Sequence, residues 1–232
     1  MNYSIIIPCF NSEKYIIKNL DLLINYLKKI KAKYEIIVVD DCSLDKTFKL
    51  LNKFKKKITI IKNKENIGKS YSLINGVLQS KYKNIVLIDS DLPYFEKLKT
   101  IMNNLKKYDF VLVDRRHKKS KNLDINFTIY QYLRIKIGLI FNKIIRMYLP
   151  IKFKDTQAGL KGFIKPDNFS KLNFVSKRFF FDLELMIYFT LHKKKIKTIP
   201  VNFNVSTDST IKIFDLFKNI EILRELINVI KK

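Results

Sequence analysis

The sequence has few of the residues that build linkers, disulfide frameworks or membrane spans. Its 232 residues include 5 Gly and 5 Pro, which excludes a flexible or Pro-rich linker. Cys9 and Cys42 match no metal-binding spacing, and we expect free thiols in a reducing compartment. No apolar run approaches the roughly 18 to 20 residues of a membrane span, and the first residues predict a strand rather than a signal peptide. One domain over residues 1–232 is therefore expected.

Acidic residues are also scarce, with 21 Asp and Glu against 46 Lys and Arg, and the net charge is +25. Such an excess predicts an anionic partner, which could be nucleic acid, a phospholipid surface or a phosphorylated small molecule. Compositional drift explains part of the excess, because lysines are spread along the whole chain. An apolar content of 47% nevertheless predicts a packed core and excludes disorder for the chain as a whole.

The first half of the sequence alternates apolar strands with helical segments. This pattern predicts an α/β fold with a mainly parallel sheet, whose ligands bind beyond the carboxyl ends of the strands. The strands are predicted at 3–7, 35–39, 58–61, 84–88 and 110–113. Polar loops follow at 8–13, 40–45, 89–91 and 114–121, and we expect them to face one crevice. The second half predicts helices over 127–149, 178–192 and 211–232 and strands over 161–164 and 196–204.

Two acidic clusters follow apolar strands. Asp89 and Asp91 lie one residue apart, so they can share a hard divalent cation that neutralises a diphosphate leaving group. A solvated turn or a helix cap is the alternative. Asp40 and Asp41 end the second strand, where a carboxylate can accept hydrogen bonds from a base or a ribose. Ser43, after them, suits capping of the next helix.

Four segments, taken in order, resemble the signatures of the family 2 glycosyltransferases, which are inverting enzymes of the nucleotide-sugar-binding GT-A fold. They are residues 5–13, 37–47, 66–69 and 88–91. The resemblance implies a nucleotide-diphosphate sugar as donor, either GDP-mannose or a UDP-hexose. It assigns donor binding to residues 1–115 and acceptor binding, with basic amphipathic helices, to residues 116–232.

The same resemblance implies a site. Asp89 and Asp91 would hold Mg²⁺ or Mn²⁺ against the diphosphate, while Arg115 and Lys177 would add positive charge at the leaving group. Asp91, Arg115 and Asp155 are the catalytic candidates. The implied substrate-binding residues are Pro8, Phe10, Glu13, Val38, Asp40, Asp41, Lys69, Asp89, Ser90, Arg134, Lys177 and Lys212. Many relatives carry an arginine where this sequence has Ser206, and Lys212, in the segment 209–212, is the candidate cation to substitute for it in part.

Segments 109–115, 154–163, 176–184 and 199–203 resemble one branch of the family, that of dolichyl-phosphate mannose synthase and the polyprenyl-phosphate sugar transferases. This implies a polyprenyl or dolichyl phosphate acceptor. A phosphate is already an anion near neutral pH, so it needs positioning more than a general base. A hydroxyl acceptor would need a carboxylate base, for which Asp155 or Asp182 could serve. Loop ordering is the alternative for Asp155.

The predicted helix over 127–149 contains no acid and carries four cations, Arg134, Lys136, Lys143 and Arg146. Such a helix suits an anionic membrane surface. Packing against the sheet or at a dimer interface is the alternative, and Arg134 and Lys143 could instead guide the acceptor phosphate. The sequence ends without the C-terminal span that related enzymes often add. We therefore expect peripheral attachment to the cytoplasmic face of a membrane.

Two other functions are considered. A transferase of the same fold could act on a sugar hydroxyl in surface polysaccharide or lipopolysaccharide synthesis. A basic nucleic-acid-binding module would not need aspartate pairs at strand ends, so we do not expect a nucleic-acid partner. A homo-oligomer is left open.

Overall fold

A seven-stranded sheet carries the fold in the computed structural model of the protein. The described residues are 1–30, 32–124, 128–151, 153–204 and 216–231, and the side chains of Arg134, Phe141 and residues 216–219 lie outside the description. The strands in these ranges are β1 (Asn2–Cys9), β2 (Lys33–Asp40), β3 (Thr59–Lys62), β4 (Asn84–Ile88), β5 (Phe110–Asp114), β6 (Lys121–Asn122), β7 (Leu160–Ile164), β8 (Ile196–Pro200) and β9 (Asn202–Phe203). The helices are α1 (Ile16–Lys28), α2 (Thr47–Leu51), α3 (Lys69–Leu78), α4 (Leu98–Asn104), α5 (Ile129–Tyr148), α6 (Phe181–Leu191) and α7 (Leu216–Lys231).

The strand order is β3-β2-β1-β4-β7-β5-β8, and β7 runs antiparallel to both of its neighbours. The other neighbouring pairs are parallel. The carboxyl ends of the parallel strands therefore share one edge, and the amino end of β7 lies at the same edge. Ile88 at the end of β4 pairs with Leu160 at the start of β7. This pairing brings the segment before β7 beside the segment after β4.

Both faces of the sheet are covered, which explains why its strands are continuous apolar runs. Ile5 and Ile7 of β1 pack into one core cluster with Leu20 of α1. Ile6 between them packs into a second cluster with Leu73 of α3. Successive side chains of a strand lie on opposite faces, so β1 contributes to both cores. The predicted α/β fold with a mainly parallel sheet is confirmed.

Two predictions about the loops after β1 and β2 are wrong. The helical periodicity of the sequence starts at Ser12, but α1 begins at Ile16. The Ser12 carbonyl accepts from the Tyr15 and Ile16 N–H groups at 3.2 and 3.0 Å and forms the turn that leads into the helix, while the Ser12 N–H donates to Thr47 Oγ1 at 2.7 Å. Ser43 does not cap the next helix. Its hydroxyl donates to Asp40 instead, and α2 begins only at Thr47.

The strand predicted over 196–204 is divided at Val201. The Val201 N–H donates to Ser120 Oγ at 3.0 Å, and its carbonyl accepts from the Lys121 N–H at 3.1 Å. The chain therefore leaves the main sheet after β8, and β9 pairs with β6.

The predicted helix over 127–149 corresponds to α5, which starts at a capping box formed by Thr128 and Gln131. The division into a donor half and an acceptor half stays a prediction.

Candidate active site

The loops after β1 and β2 are joined by reciprocal hydrogen bonds. The Asn11 N–H donates to Ser43 Oγ at 2.9 Å, and the Asn11 side-chain oxygen accepts from the second loop at 2.8 Å. The Glu13 carboxylate accepts from the Lys46 N–H at 2.9 Å, while the Glu13 N–H donates to Asp45 at 3.1 Å. Glu13 therefore holds the two loops together at the sheet edge where the donor pocket is predicted.

The apolar residues predicted for the donor pocket lie in two environments. Pro8 and Val38 are buried within β1 and β2. Phe10 follows β1 and is 40% exposed. Part of the Phe10 ring is therefore open to solvent, whereas Pro8 and Val38 lie inside the sheet, and contacts of these residues to a nucleotide stay predictions.

Asp40 is completely buried at the end of β2. Its carboxylate accepts the hydroxyl hydrogen of Ser43 and, at 3.3 Å, the N–H of the same residue. Burial raises the pKa of Asp40, and the hydrogen bonds from Ser43 oppose that rise. The Cys9 thiol lies 3.9 Å from this carboxylate, and burial together with the Asp40 charge raises the pKa of that thiol. The Asp40 carboxylate thus orders the loop after β2.

Asp41 organises the loop that leads into α3. Its carboxylate accepts from the Asn63 amide at 2.7 Å and from the N–H groups of Ile67 and Gly68 at 3.2 and 2.8 Å. Gly68 has a φ of +126°, a conformation that strains any residue with a side chain. A nucleotide contact to Asp40 or Asp41 stays a prediction. In this structure both carboxylates hold the loops that line the sheet edge.

Asp89, Ser90 and Asp91 follow β4 at the same edge. The Asp89 carboxylate oxygens lie 2.7 and 2.8 Å from Lys69 Nζ, at the start of α3. Ser90 is buried, and its carbonyl accepts from the Asn19 amide of α1 at 2.9 Å. Ser90 therefore anchors the turn, while Asp89 and Asp91 remain accessible to solvent.

The two carboxylates fit a divalent cation bound together with a diphosphate. Partial loss of hydration, followed by the charge of Asp89, raises the pKa of Asp91. Loss of hydration alone would lower the pKa of Lys69, but the negative charge of Asp89 and, to a smaller extent, that of Asp182 raise this pKa. The described ranges contain no group of three or more His, Cys, Asp or Glu placed to hold a metal ion. Mg²⁺ is commonly held by one or two carboxylates plus substrate phosphates, and this donor set suits that arrangement.

The turn after β4 is tightly constrained by the segment before β7. Leu92 and Tyr94 have φ values of 53° and 56°, a region uncommon for residues with side chains. The Asp89 N–H donates to the Gly159 carbonyl at 3.1 Å. A Cβ on Gly159 would lie 2.6 Å from Asp89 Oδ2 and 2.7 Å from Pro93 Cγ. Glycine is therefore needed for the predicted acceptor segment to lie against the predicted metal ligands.

Arg115, just after β5, is held by Asp155. The Arg115 Nε and Nη2 atoms donate to the two carboxylate oxygens at 2.6 and 2.7 Å, and the Arg115 N–H donates at 3.0 Å. Asp155 is 1% exposed, and burial alone would raise its pKa, but the bonds and charge of Arg115 hold that pKa below its ordinary value. A carboxylate with a lowered pKa is a weak general base. The geometry therefore favours loop ordering for Asp155, with Arg115 as the group that it positions.

Arg116, the next residue, was not singled out by the sequence. Its Nη1 donates to the Lys154 carbonyl at 2.8 Å, and its Nη2 donates to the Gly138 carbonyl of α5 at 3.2 Å. Arg116 therefore fastens α5 and the segment before β7 to the end of β5. The basic run at 115–119 was the available signal, but composition alone does not show which cation makes these contacts.

Lys161 of β7 and Asp182 of α6 form a buried ion pair that the sequence prediction also missed. Asp182 Oδ1 has no hydrogen-bond partner among the described residues. The charge of Asp182 also contributes to the raised pKa of Lys69, after the larger contribution of Asp89. The sequence feature that could have indicated this ion pair is Lys161, because a lysine in a buried apolar strand requires a partner of opposite charge.

The structure describes three of the predicted substrate-binding cations to different extents. Lys177 is exposed, and its carbonyl accepts from the Tyr71 N–H of α3 at 2.8 Å, so its backbone lies beside the helix that carries Lys69. Arg134 belongs to α5, but its side chain lies outside the described residues. Lys212 lies outside the described residues altogether. Their contacts to a substrate stay predictions.

The sequence model of the family described as glycosyl transferase family 2 matches residues 4–179. The chain belongs to this family. The predicted family is therefore confirmed, and with it the predicted enzyme class. The matched residues contain both acidic clusters and the segments around Arg115 and Asp155.

Among family 2 relatives, the human dolichyl-phosphate beta-glucosyltransferase is 28% identical over 224 residues, which cover 86% of this chain and 66% of that protein. The enzyme of that name from Dictyostelium discoideum is 26% identical over 245 residues, covering 97% of this chain and 73% of the relative. This chain thus spans just under two thirds of the human relative. The predicted likeness to the polyprenyl-phosphate branch of family 2 is confirmed.

One solved structure similar to this chain is glucosyl-3-phosphoglycerate synthase from Mycobacterium tuberculosis in complex with Mn²⁺, UDP-glucose and phosphoglyceric acid. The two are 16% identical, with a TM-score of 0.70, and the match covers 99% of this chain and 80% of the other. This likeness confirms the predicted GT-A fold.

Proposed function

We propose that this protein transfers a hexose, with inversion, from a nucleotide-diphosphate sugar to a polyprenyl or dolichyl phosphate. The observation that carries the proposal is the contact between the Asp89 N–H and the Gly159 carbonyl, which brings the predicted acceptor segment against a predicted metal ligand. The names of the relatives, dolichyl-phosphate beta-glucosyltransferases, support the acceptor class.

Donor binding is assigned to the loops after β1, β2 and β4. Asp89 and Asp91 would hold Mg²⁺ or Mn²⁺, which supplies positive charge to the diphosphate leaving group when bound. Lys69 and Arg115 add fixed positive charge at the same edge. Of the two donor classes, a UDP-hexose is favoured over GDP-mannose. The glucosyltransferase names of the relatives and the UDP-glucose in the structural neighbour support this choice.

A phosphate acceptor suits the carboxylates of this site better than a hydroxyl acceptor. The Asp155 carboxylate is bound to Arg115, and its pKa is lowered against the opposing effect of burial, so it is a weak base. A phosphate oxygen is already negatively charged at neutral pH, and what it needs from the protein is orientation and exclusion of water. An acceptor phosphate facing the donor sugar would attack the anomeric carbon from the side opposite the leaving diphosphate. The sugar would therefore invert its configuration.

The acceptor is tested by following the labelled sugar into organic solvent. With radiolabelled UDP-glucose, Mn²⁺ and a short polyprenyl phosphate, we expect label in the organic phase, and much less with GDP-mannose or with chelator. A matched reaction with a soluble oligosaccharide as acceptor serves as the control. Transfer only to the soluble oligosaccharide would contradict the proposal and support the polysaccharide alternative.

The α5 helix is proposed to bring the enzyme to its lipid substrate at an anionic membrane surface. It contains no acid, and Lys136, Lys143 and Arg146 on it are exposed. Its exposed apolar side chains are Ile129, Tyr132, Leu133, Ile137, Leu139, Ile140, Ile144, Met147 and Tyr148. Cations among exposed apolar groups are typical of a helix lying in a lipid interface. In the described ranges no helix is both long and apolar enough to cross a bilayer.

Replacing Lys136, Lys143 and Arg146 together by Gln should weaken binding to anionic vesicles. Each cation is worth about 1 kcal/mol at an anionic surface, so the partition constant should fall on the order of 100-fold at low salt. Cosedimentation with phosphatidylserine-containing and neutral vesicles across a salt series measures the partition constant. Wild-type binding should weaken as salt screens the attraction.

The control is a variant with the same change in net charge elsewhere on the surface. Lys53, Lys56 and Lys57 are exposed and lie between α2 and β3. Their replacement by Gln should leave vesicle binding within about twofold, because screening confines the attraction to charges near the lipid. Equal losses in both triple variants would contradict docking through α5.

A further inference from the structure

The carboxylate of Glu225, in α7, is bound by one loop of the chain. The hydroxyl of Ser176 donates to Glu225 Oε1 at 2.8 Å, as does the N–H of Arg178 at 2.7 Å. The Lys177 N–H donates to the same oxygen, and the Phe179 N–H donates to Oε2 at 3.1 Å. Successive N–H groups that converge on one carboxylate form an anion-binding concavity, and here α7 fills it.

The loop bound by Glu225, residues 176–179, also contacts the first turn of α3. The carbonyls of Lys177 and Arg178 accept from the N–H groups of Tyr71 and Ser70, at 2.8 and 3.2 Å. A Cβ on Gly68 would lie 2.7 Å from the Arg178 Cα, so the two segments are in direct contact. Any shift of the loop must therefore move the start of α3.

The first residue of α3 is Lys69, which pairs with Asp89 at 2.7 Å. A continuous set of contacts thus runs from Glu225 through the loop and the first turn of α3 to the predicted metal ligand. Glu225 lies outside residues 4–179, so the match to the family does not point to it.

We propose that Glu225 is a positioning residue for donor binding, which acts by holding the 176–179 loop and, through it, Lys69 and Lys177. The inference rests on the proposed function, because it takes the β4 edge as the donor diphosphate site. The loop is partly exposed, so water can replace the lost acceptor when Glu225 is removed. The main consequence is then a less ordered loop rather than an unfolded chain.

The test compares Glu225→Ala, Glu225→Gln and Glu221→Gln in the full chain. Glu221 is the matched control, since it lies one turn earlier on α7 and pairs with the Arg178 side chain at 2.6 Å without touching the N–H groups of the loop. We expect Glu225→Ala to raise the donor KM, and the calorimetric Kd for the nucleotide, about tenfold with kcat changed less than twofold. Glu225→Gln should be intermediate, because its amide retains one acceptor oxygen, and Glu221→Gln should stay within about twofold of wild type.

A second measurement separates this inference from the proposed function. Hydrogen exchange of the Ser70 and Tyr71 amides reports on the link between the loop and α3 without any substrate. Exchange should be fastest in Glu225→Ala, intermediate in Glu225→Gln and unchanged in Glu221→Gln. A lower melting temperature with unchanged KM, Kd and exchange would overturn the inference and leave Glu225 a purely structural residue. If the wild-type chain bound no nucleotide diphosphate, the proposed function would fail, while the exchange data would still decide whether Glu225 controls the start of α3.

Discussion

An Asp91→Asn variant is expected to lose on the order of 10² to 10³-fold in kcat/KM, since cation-assisted stabilisation of a diphosphate leaving group is worth several kcal/mol. The loss is expected because Asp91 shares the turn after β4 with Asp89, and these two carboxylates are the proposed ligands of the divalent cation. Asn preserves the size of the side chain while removing its charge. Manganese titrations of activity, with calorimetric Mn²⁺-dependent binding of the nucleotide, measure the effect.

The control for this experiment is Asp167→Asn. Asp167 pairs with Lys83, and both side chains are largely exposed, so its loss should change neither activity nor nucleotide affinity by more than about twofold. Asp91→Asn should keep the wild-type circular dichroism spectrum, because the carboxylate is accessible to solvent. An unchanged Mn²⁺ dependence in Asp91→Asn would show that Asp91 does not hold the cation.

Asp155→Asn is expected to cost about 3 kcal/mol in the free energy of unfolding, because removing one partner leaves the other charge of the pair uncompensated. For a chain of this size, that corresponds to a fall of roughly 10 °C in Tm. Urea denaturation followed by circular dichroism gives the free energy directly. Arg115→Gln and the double variant complete the cycle, and the double variant should lose less than the sum of the single changes.

The same pair predicts a dependence of stability on pH. Burial would raise the pKa of Asp155, but Arg115 holds it below the ordinary value of 3.8. A carboxyl whose pKa is lower in the folded state binds its proton more weakly there than in the unfolded state. Its contribution to stability is therefore complete above about pH 4 and is lost as the pH falls through the lowered pKa. Asp155→Asn should remove this part of the acid sensitivity, and an identical pH profile in wild type and variant would contradict it.

The acidic edge of the sheet, where donor binding is proposed, was predictable because its signals are local. Each apolar strand ends in an acidic or polar loop, and in parallel crossover units all such ends meet at one edge. The placement of Asp40 and Asp41 at the same edge as Asp89 follows from this rule. Only the alternation of strands and helices had to be correct for that prediction.

The environment of each carboxylate could not be predicted, because it depends on partners far along the chain. Asp41 is bound by Asn63 and Gly68, and Asp155 is bound by Arg115. No periodicity shows whether an acid at a strand end meets such donors or faces solvent. The same holds for Glu225, whose donors belong to a loop before α6 while its own helix follows the last strand.

The antiparallel strand β7 has a consequence for how this enzyme could diversify. Leu112 of β5 pairs with Lys161 of β7, so the chain segment that connects the two strands forms one long closed loop, which includes α5. Arg116 ties the two ends of that loop together through the Lys154 carbonyl. Closing a flexible loop costs only about 0.6 kcal/mol more for each doubling of its length. An excursion of different length and surface chemistry that keeps the buried contacts of Ile145 and Leu149 could therefore be exchanged there at little entropic cost, leaving the strands that carry the aspartates unchanged.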